Sequence, residues 1–130
     1  GISARAFYGC RTVAAIQIPA GVTAIGDLAF ADCPNLVYIS VSESNTRFCD
    51  AEGVLYTSDG SELILYPARH AGSVALIPAT VREIADMAFY NCAYLEEIRF
   101  NGSPAQWEAI RIGTKNYSLT AASVVFYAAS

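Results

Sequence analysis

The thiol and imidazole side chains, which serve most readily as nucleophiles, bases or zinc ligands, are few: Cys10, Cys33, Cys49, Cys92 and a lone histidine, His70. A zinc site needs Cys-x-x-Cys or paired-His spacing to close a tetrahedron, and neither occurs in this sequence. A nucleophilic thiol or hydroxyl needs a base beside it, and that base needs a carboxylate to orient it. His70 stands next to Arg69 in a stretch that reads as a loop, with nothing to bring a thiol to it, and is expected to be solvated. Asp50, Glu52, Asp59 and Glu62 cluster in and before a hairpin and could attract a cation, but they lack calcium-loop spacing. They read as a solvated acidic tip. The expectation is therefore no enzyme, no metal and no cofactor.

Three of the cysteines obey a different rule. The series Phe7, Cys10, Val13, Ile16, Ile18 recurs as Phe30, Cys33, Leu36, Ile39, Val41 and as Phe89, Cys92, Leu95, Ile98, Phe100, each time with Ala before the Phe. Repetition at such a period signals a solenoid, in which each copy is one coil stacked on the next and the three Phe form a single file. The repeated Cys slot then suits a small buried hydrophobe. Stacked rungs lie about 5 Å apart, so a bridge between Cys10 and Cys33 is geometrically open, although reduced structural thiols are the expectation. Cys49 stands outside the pattern and reads as a buried or half-buried thiol.

The coils themselves have legible parts. Ile18-Pro19 and Ile77-Pro78 open the full copies, Val22 and Ile25 match Val81 and Ile84, and Asp27 and Asp86 introduce short helical turns running to Cys33 and Cys92. Asp in that place is expected to cap free amides. Apolar–polar alternation follows, which is the strand period. It points Ile16 and Ile18, Ile39 and Val41, Ala75 and Ile77, Ile98 and Phe100, and Val124 and Phe126 into the core. The strand ends at 18, 41, 77, 100 and 126 imply five parallel rungs, the 36-residue step being one repeat plus 13 extra residues. Those extra residues hold two strand-like runs flanking residues 58–61, a hairpin expected over 53–67 that projects from, or lies against, the helical flank. Ser103-Pro104 then reads as N-cap and first turn of a short helix carrying Trp107 inward, ended by Gly113, with a loop over 116–121 and a last strand over 123–127. This irregular part would close the open end of the stack.

Composition sets the outer bounds. In 130 residues, 54% are apolar and 15% charged, enough to fill the core of one domain and too apolar for disorder. A net charge of −4 without runs argues against nucleic acid and anionic membranes as partners, and no apolar run reaches the length of a membrane span. The chain opens inside a repeat, so it is expected to be a piece of a longer protein, with Gly1 a cloning remnant and targeting signals elsewhere.

The pattern Ile-Pro-x-x-Val-x-x-Ile-x-x-x-Ala-Phe-x-x-Cys-x-x-Leu-x-x-Ile over residues 18–39 and 77–98, with its second half over 2–18, resembles the BspA-like, or Treponema pallidum-type, leucine-rich repeat. The segment from Gly53 to Pro67 is similar to an insertion common in that family, and residues 103–127 with Gln106-Trp107 to its closing unit. The resemblance implies an α/β fold: a leucine-rich-repeat solenoid with a parallel sheet of about five short strands and short helical turns opposite. The crossover rule makes it right-handed. Its repeats would span about 2–18, 19–41, 42–77 with the insertion, and 78–100, with a closing unit over 101–130. It also implies a secreted or surface-exposed bacterial protein engaged in adhesion, with no shared active site. Partners would be host matrix or cell-surface proteins, glycans or other bacterial surface proteins.

A ligand surface on such a solenoid is expected on the outward positions of the sheet: Gln17, Tyr38, Ser40, Leu76, Glu97, Arg99 and Tyr127, with the apolar Val74 and Val125 among them. A purely architectural stalk is the alternative. The sequons at Asn101 and Asn116 and a sugar-stacking role for Trp107 are each weaker readings than structural ones.

Overall fold

The computed structural model describes residues 12–25, 33–69, 73–90, 92 and 94–126. In chain order the strands are β1 (Ala15–Ile18), β2 (Tyr38–Val41), β3 (Phe48–Ala51), β4 (Val54–Thr57), β5 (Glu62–Leu65), β6 (Val74–Pro78), β7 (Glu83–Ile84), β8 (Glu97–Asn101), β9 (Arg111–Ile112) and β10 (Ser123–Phe126), with helices α1 (Pro104–Glu108) and α2 (Tyr117–Ala121). The expected rungs are β1, β2, β6, β8 and β10, and every pairing among them is parallel and in repeat register: Ile16 opposite Ile39, Ala75 opposite Ile98, and Ile98 opposite Val124. The chain is a β-solenoid of parallel strands. Ile18, Ile39, Ile77, Ile98 and Phe100 are fully buried, as strand alternation demands. Val124 is half-buried and Phe126, expected in the core, is exposed, because β10 is the last rung in the sheet order β10-β8-β6.

The five rungs do not form one sheet. β1 and β2 make one ladder and β6, β8 and β10 another. Hydrogen bonds explain the break. In β2 the even-numbered amides turn back to the preceding coil, as Tyr38 N–H to Ala14 O and Ser42 N–H to Ile18 O. The odd-numbered ones should reach the next rung, but Ile39 N–H donates to Gly53 O (2.9 Å) and Val41 N–H to Asp50 Oδ1 (2.9 Å). The inserted residues thus occupy the edge that β6 would have taken.

The insertion is a three-stranded meander rather than one hairpin, and it starts at Phe48. Ala51 pairs with Val54 across a two-residue turn in which Glu52 (φ 52°) and Gly53 (φ 86°) both have positive φ, the type I′ geometry that matches strand twist. Residues 58–61 form the expected second turn. A bulge follows, since Tyr56 faces Leu63 while Leu55 faces Leu65.

Nor does the meander project from the flank, as the sequence suggested. β4 is buried on both faces. Leu55 and Leu65 pack into an N-terminal core with Ile16, Ile18, Leu36, Ile39 and Val41. Val54, Tyr56, Leu63 and Tyr66 pack into a second core with Ile77, Ile84, Phe89, Ile98 and Phe100. A segment with so few polar side chains on either face is most stable as a wall between two cores. Its far edge extends into β7 and β9, giving a third sheet of order β3-β4-β5-β7-β9, in which β7 carries the Ile of the repeat's Val-x-x-Ile.

Opposite the rungs, the stretch from Asp86 to Tyr90 is a series of turns, bonded from Ala88 N–H to Ala85 O and from Tyr90 N–H to Met87 O. Asp86 does not cap it. Its carboxylate accepts Thr114 N–H (2.7 Å), and Phe89 N–H is taken instead by Asn116 Oδ1 (2.8 Å). Phe89 is fully buried and stacks on Tyr66 at 5.0 Å, a burial that contributes about 3 kcal/mol. Phe7, Phe30, Asp27 and Cys10 lie outside the described residues, so the expected file of phenylalanines is seen at one position only.

The closing unit starts α1 where the sequence placed it, but the helix stops at Ala109 rather than at Gly113, because the chain turns into β9 before that glycine. Ser103 and Gln106 form a reciprocal capping box, Pro104 sits in the first turn, and Trp107 packs on Phe100 at 5.3 Å. Residues 117–121 are helical (α2) where a loop was expected, because Asn116 is buried and anchors the segment: its Nδ2 donates to Ala85 O and Gly113 O, both at 3.0 Å.

Candidate functional site

The outward positions of the rungs come together as two groups. In the first, Gln17 stands opposite Ser40 on neighbouring strands, with Tyr38 beside them. Tyr38 remains 45% exposed although its ring lies over Gly53, where an added Cβ would come within 2.5 Å of Cδ2. In the second, register aligns Leu76, Arg99 and Val125 in one row and Val74, Glu97 and Ser123 in the next. Leu76 is 49% and Val125 43% exposed, and between them Arg99 Nε donates to Glu97 Oε2 at 2.6 Å. Strands fix the Cα positions, and the carboxylate fixes the guanidinium. The result is a preorganised cation flanked by two apolar side chains. The two groups belong to separate ladders, so the continuous face the sequence implied is interrupted between β2 and β6. Tyr127 lies outside the described residues.

The residues considered for chemistry are engaged in structure. Cys33 and Cys92 are both buried, and Cys92 is an unbridged thiol aimed at Tyr66 O (3.7 Å). Burial pushes Cys92 up to about 12, so it carries no thiolate near neutrality. Cys49 is half-buried and donates to Thr57 O at 3.4 Å, and burial first, then the charges of Asp50 and Asp59, raise its pKa. These are inert thiols, the opposite of an activated nucleophile. The acidic tip is likewise consumed internally: Asp50 holds Val41 N–H, and Asp59 accepts from Ser61 N–H (3.0 Å), Ser61 O–H (2.7 Å) and Thr57 O–H (2.8 Å). Those donors hold the Asp59 carboxyl at about 2, the Ser61 amide first among them. Among the described residues no group of three or more His, Cys, Asp and Glu is arranged to hold a metal ion, and no helix is long and apolar enough to cross a membrane. His70 lies outside those residues.

Sequence reasoning missed the polar side chains that bind coil to coil. Buried Asn45 donates to Pro19 O and Val22 O (3.0 Å each) and accepts from Arg47 N–H and Phe48 N–H, and Asn116 does the same kind of work one core further on. Nothing in an isolated Asn in a polar stretch announces burial; only the identity of the backbone groups left over by neighbouring coils does.

Six copies of the BspA type leucine rich repeat region match the sequence, over residues 1–52 and 73–112. The chain belongs to the BspA-type leucine-rich repeat family. The stretch between the two matched regions, 53–72, contains β4 and β5, the part of the insertion that forms the wall between the cores. Among solved structures the chain is similar to the pneumococcal vaccine antigen PcpA (TM-score 0.78, 27% identity, covering 87% of this chain and 27% of that one). It is also similar to a leucine rich cell surface protein from Faecalibacterium prausnitzii A2-165 (TM-score 0.73, 30% identity, 95% and 32%) and to a leucine-rich repeat protein from Eubacterium ventriosum (TM-score 0.68, 26% identity, 90% and 37%). No curated protein matches the sequence. The BspA-type chain spans about a third of the length of these solved relatives.

Proposed function

We propose that this chain is a non-catalytic interaction module of a bacterial surface or secreted protein, and that it adheres to host or bacterial partners through the outward face of its parallel strands. The observation that carries the reading is the row Leu76, Arg99, Val125: two exposed apolar side chains on either side of an arginine held by Glu97. Arginine and large apolar side chains on a rigid support are the chemistry of binding hot spots, since little conformational freedom remains to be lost on association. Membership of the BspA-type family supports it, as do the names of two solved relatives, one a vaccine antigen and one a cell surface protein. The interruption between β2 and β6 favours a second reading, a stalk that spaces other domains and has no ligand of its own.

One experiment separates the two. Beads coated with the domain are applied to plates coated with fibronectin, laminin or collagen. The triple substitution of Tyr38, Arg99 and Tyr127 by Ala abolishes attachment if the face binds. Unchanged attachment, with an unchanged melting temperature, leaves the stalk.

A further inference from the structure

A second polar surface lies outside the sheet face, at the corner where each coil enters its strand. Asn35 and Tyr94 follow Cys33 and Cys92 by two residues, so they occupy the same slot of two coils. Arg69 lies between them. Its N–H donates to Leu36 O at 2.8 Å, its Nη1 reaches Asn35 Oδ1 at 3.4 Å, and its guanidinium carbon stands 5.7 Å from the centroid of the Tyr94 ring. Tyr94 is 58% exposed, and Arg69 and Asn35 are exposed too. Among the described residues the one ion pair is Arg99 with Glu97, so Arg69 has no carboxylate partner there.

We infer that Asn35, Arg69 and Tyr94 form a subsite for an acidic glycan, one bearing hexuronate. The chemistry of each residue argues for this class. A guanidinium offers five N–H donors in a planar fork that fits a carboxylate two bonds at a time, and here a single long contact uses one of them. The Tyr94 ring gives the apolar face of a pyranose a flat platform, and among the described residues no carboxylate neutralises the cation beside it. Asn35 Oδ1 accepts from Arg69 Nη1 and so sets the direction in which the guanidinium faces. An acidic peptide would use the arginine alone and leave the ring idle, which is why a glycan is the favoured occupant. The subsite stands apart from the sheet face, so it survives or fails independently of the adhesion reading above.

The test is calorimetric titration of the intact domain with a hyaluronan hexasaccharide, with neutral chitohexaose as the comparison. Binding of the first and not the second is expected, weakened at least tenfold by Arg69→Ala and several-fold by Tyr94→Ala, partly recovered in Arg69→Lys, and unchanged in the triple sheet-face variant. Melting temperatures of all variants guard against loss of fold, since these side chains are exposed. The inference is overturned by absence of hyaluronan binding, by equal binding of chitohexaose, by Arg69→Ala binding as wild type does, or by a poly-glutamate peptide displacing the hexasaccharide at equal charge concentration.

Discussion

Gly53 joins the N-terminal ladder to the inserted wall, and replacing it by Ala tests that joint. Three effects add. At φ 86° a Cβ is strained whatever the surrounding space, at about 1–2 kcal/mol. The same Cβ would stand 2.5 Å from Tyr38 Cδ2, which forces the ring off the turn and loses part of its packing, about 0.5–1 kcal/mol. Any shift of the turn then lengthens the bond from Ile39 N–H to Gly53 O, now 2.9 Å. A loss of about 2–3 kcal/mol in urea denaturation is expected, a shift of roughly 6–12 °C for a domain of this size. Gly21→Ala is the control, because its Cβ meets nothing within 4 Å and its φ is ordinary; it should be neutral or slightly stabilising. A Tyr38→Ala background removes the clash and leaves the backbone cost, so the double-mutant cycle apportions the two. Hydrogen exchange supplies the local readout: the Ile39 and Val41 amides exchange faster in Gly53→Ala while Ile98, in the other ladder, does not. Wild-type stability together with unchanged Ile39 protection would refute the reasoning.

Other expectations follow from the buried polar and titratable groups. Asn116→Ala strips an acceptor from Phe89 N–H and donors from Ala85 O and Gly113 O in a buried site, and should cost about 3 kcal/mol in urea denaturation. Cys92, raised from an ordinary 9.0 to about 12, binds its proton more tightly folded than unfolded; its contribution is intact below pH 9 and is lost as pH climbs from 9 towards 12. Stability should therefore fall there by about 1.4 kcal/mol per pH unit, less steeply in Cys92→Ala, with Tyr66, also held at about 12, adding to the slope above pH 10. Asp59 has the opposite sign. Its pKa is lowered to about 2, so the turn over residues 58–61 is held above pH 4 and loosens as pH falls towards 2, which exchange of the Ser61 and Glu62 amides should follow and Asp59→Asn should remove.

The repeat made most of the fold readable. Apolar alternation at Ile16 and Ile18, Ile39 and Val41, and Ile98 and Phe100 gave the rungs, their register and their inward faces before any coordinates. What it did not reveal was the fate of the 13 extra residues. A strand buried on one face and a strand buried on both differ by few residues, and Val54, Leu55 and Tyr56 suit either until the second core is known. The break in the sheet was invisible for the same reason, because it depends on Gly53 O and Asp50 reaching an edge 9 to 14 residues away in sequence. Outward residues such as Leu76 and Arg99 were correctly placed, since alternation alone sets them. The Asn35, Arg69 and Tyr94 corner was not, because two coils and the approach to a third bring it together.

Site-directed photocrosslinking tests the central functional claim most directly. A benzophenone at Leu76, on the outward face, and another at Arg82, exposed beside β7 of the five-stranded sheet, are each illuminated with the domain bound to a fibronectin, laminin or collagen surface. Adducts to a matrix protein from position 76 and none from position 82 are predicted. Adducts from 82 alone, or from neither position while the domain stays attached, would contradict the assignment of binding to the strand face.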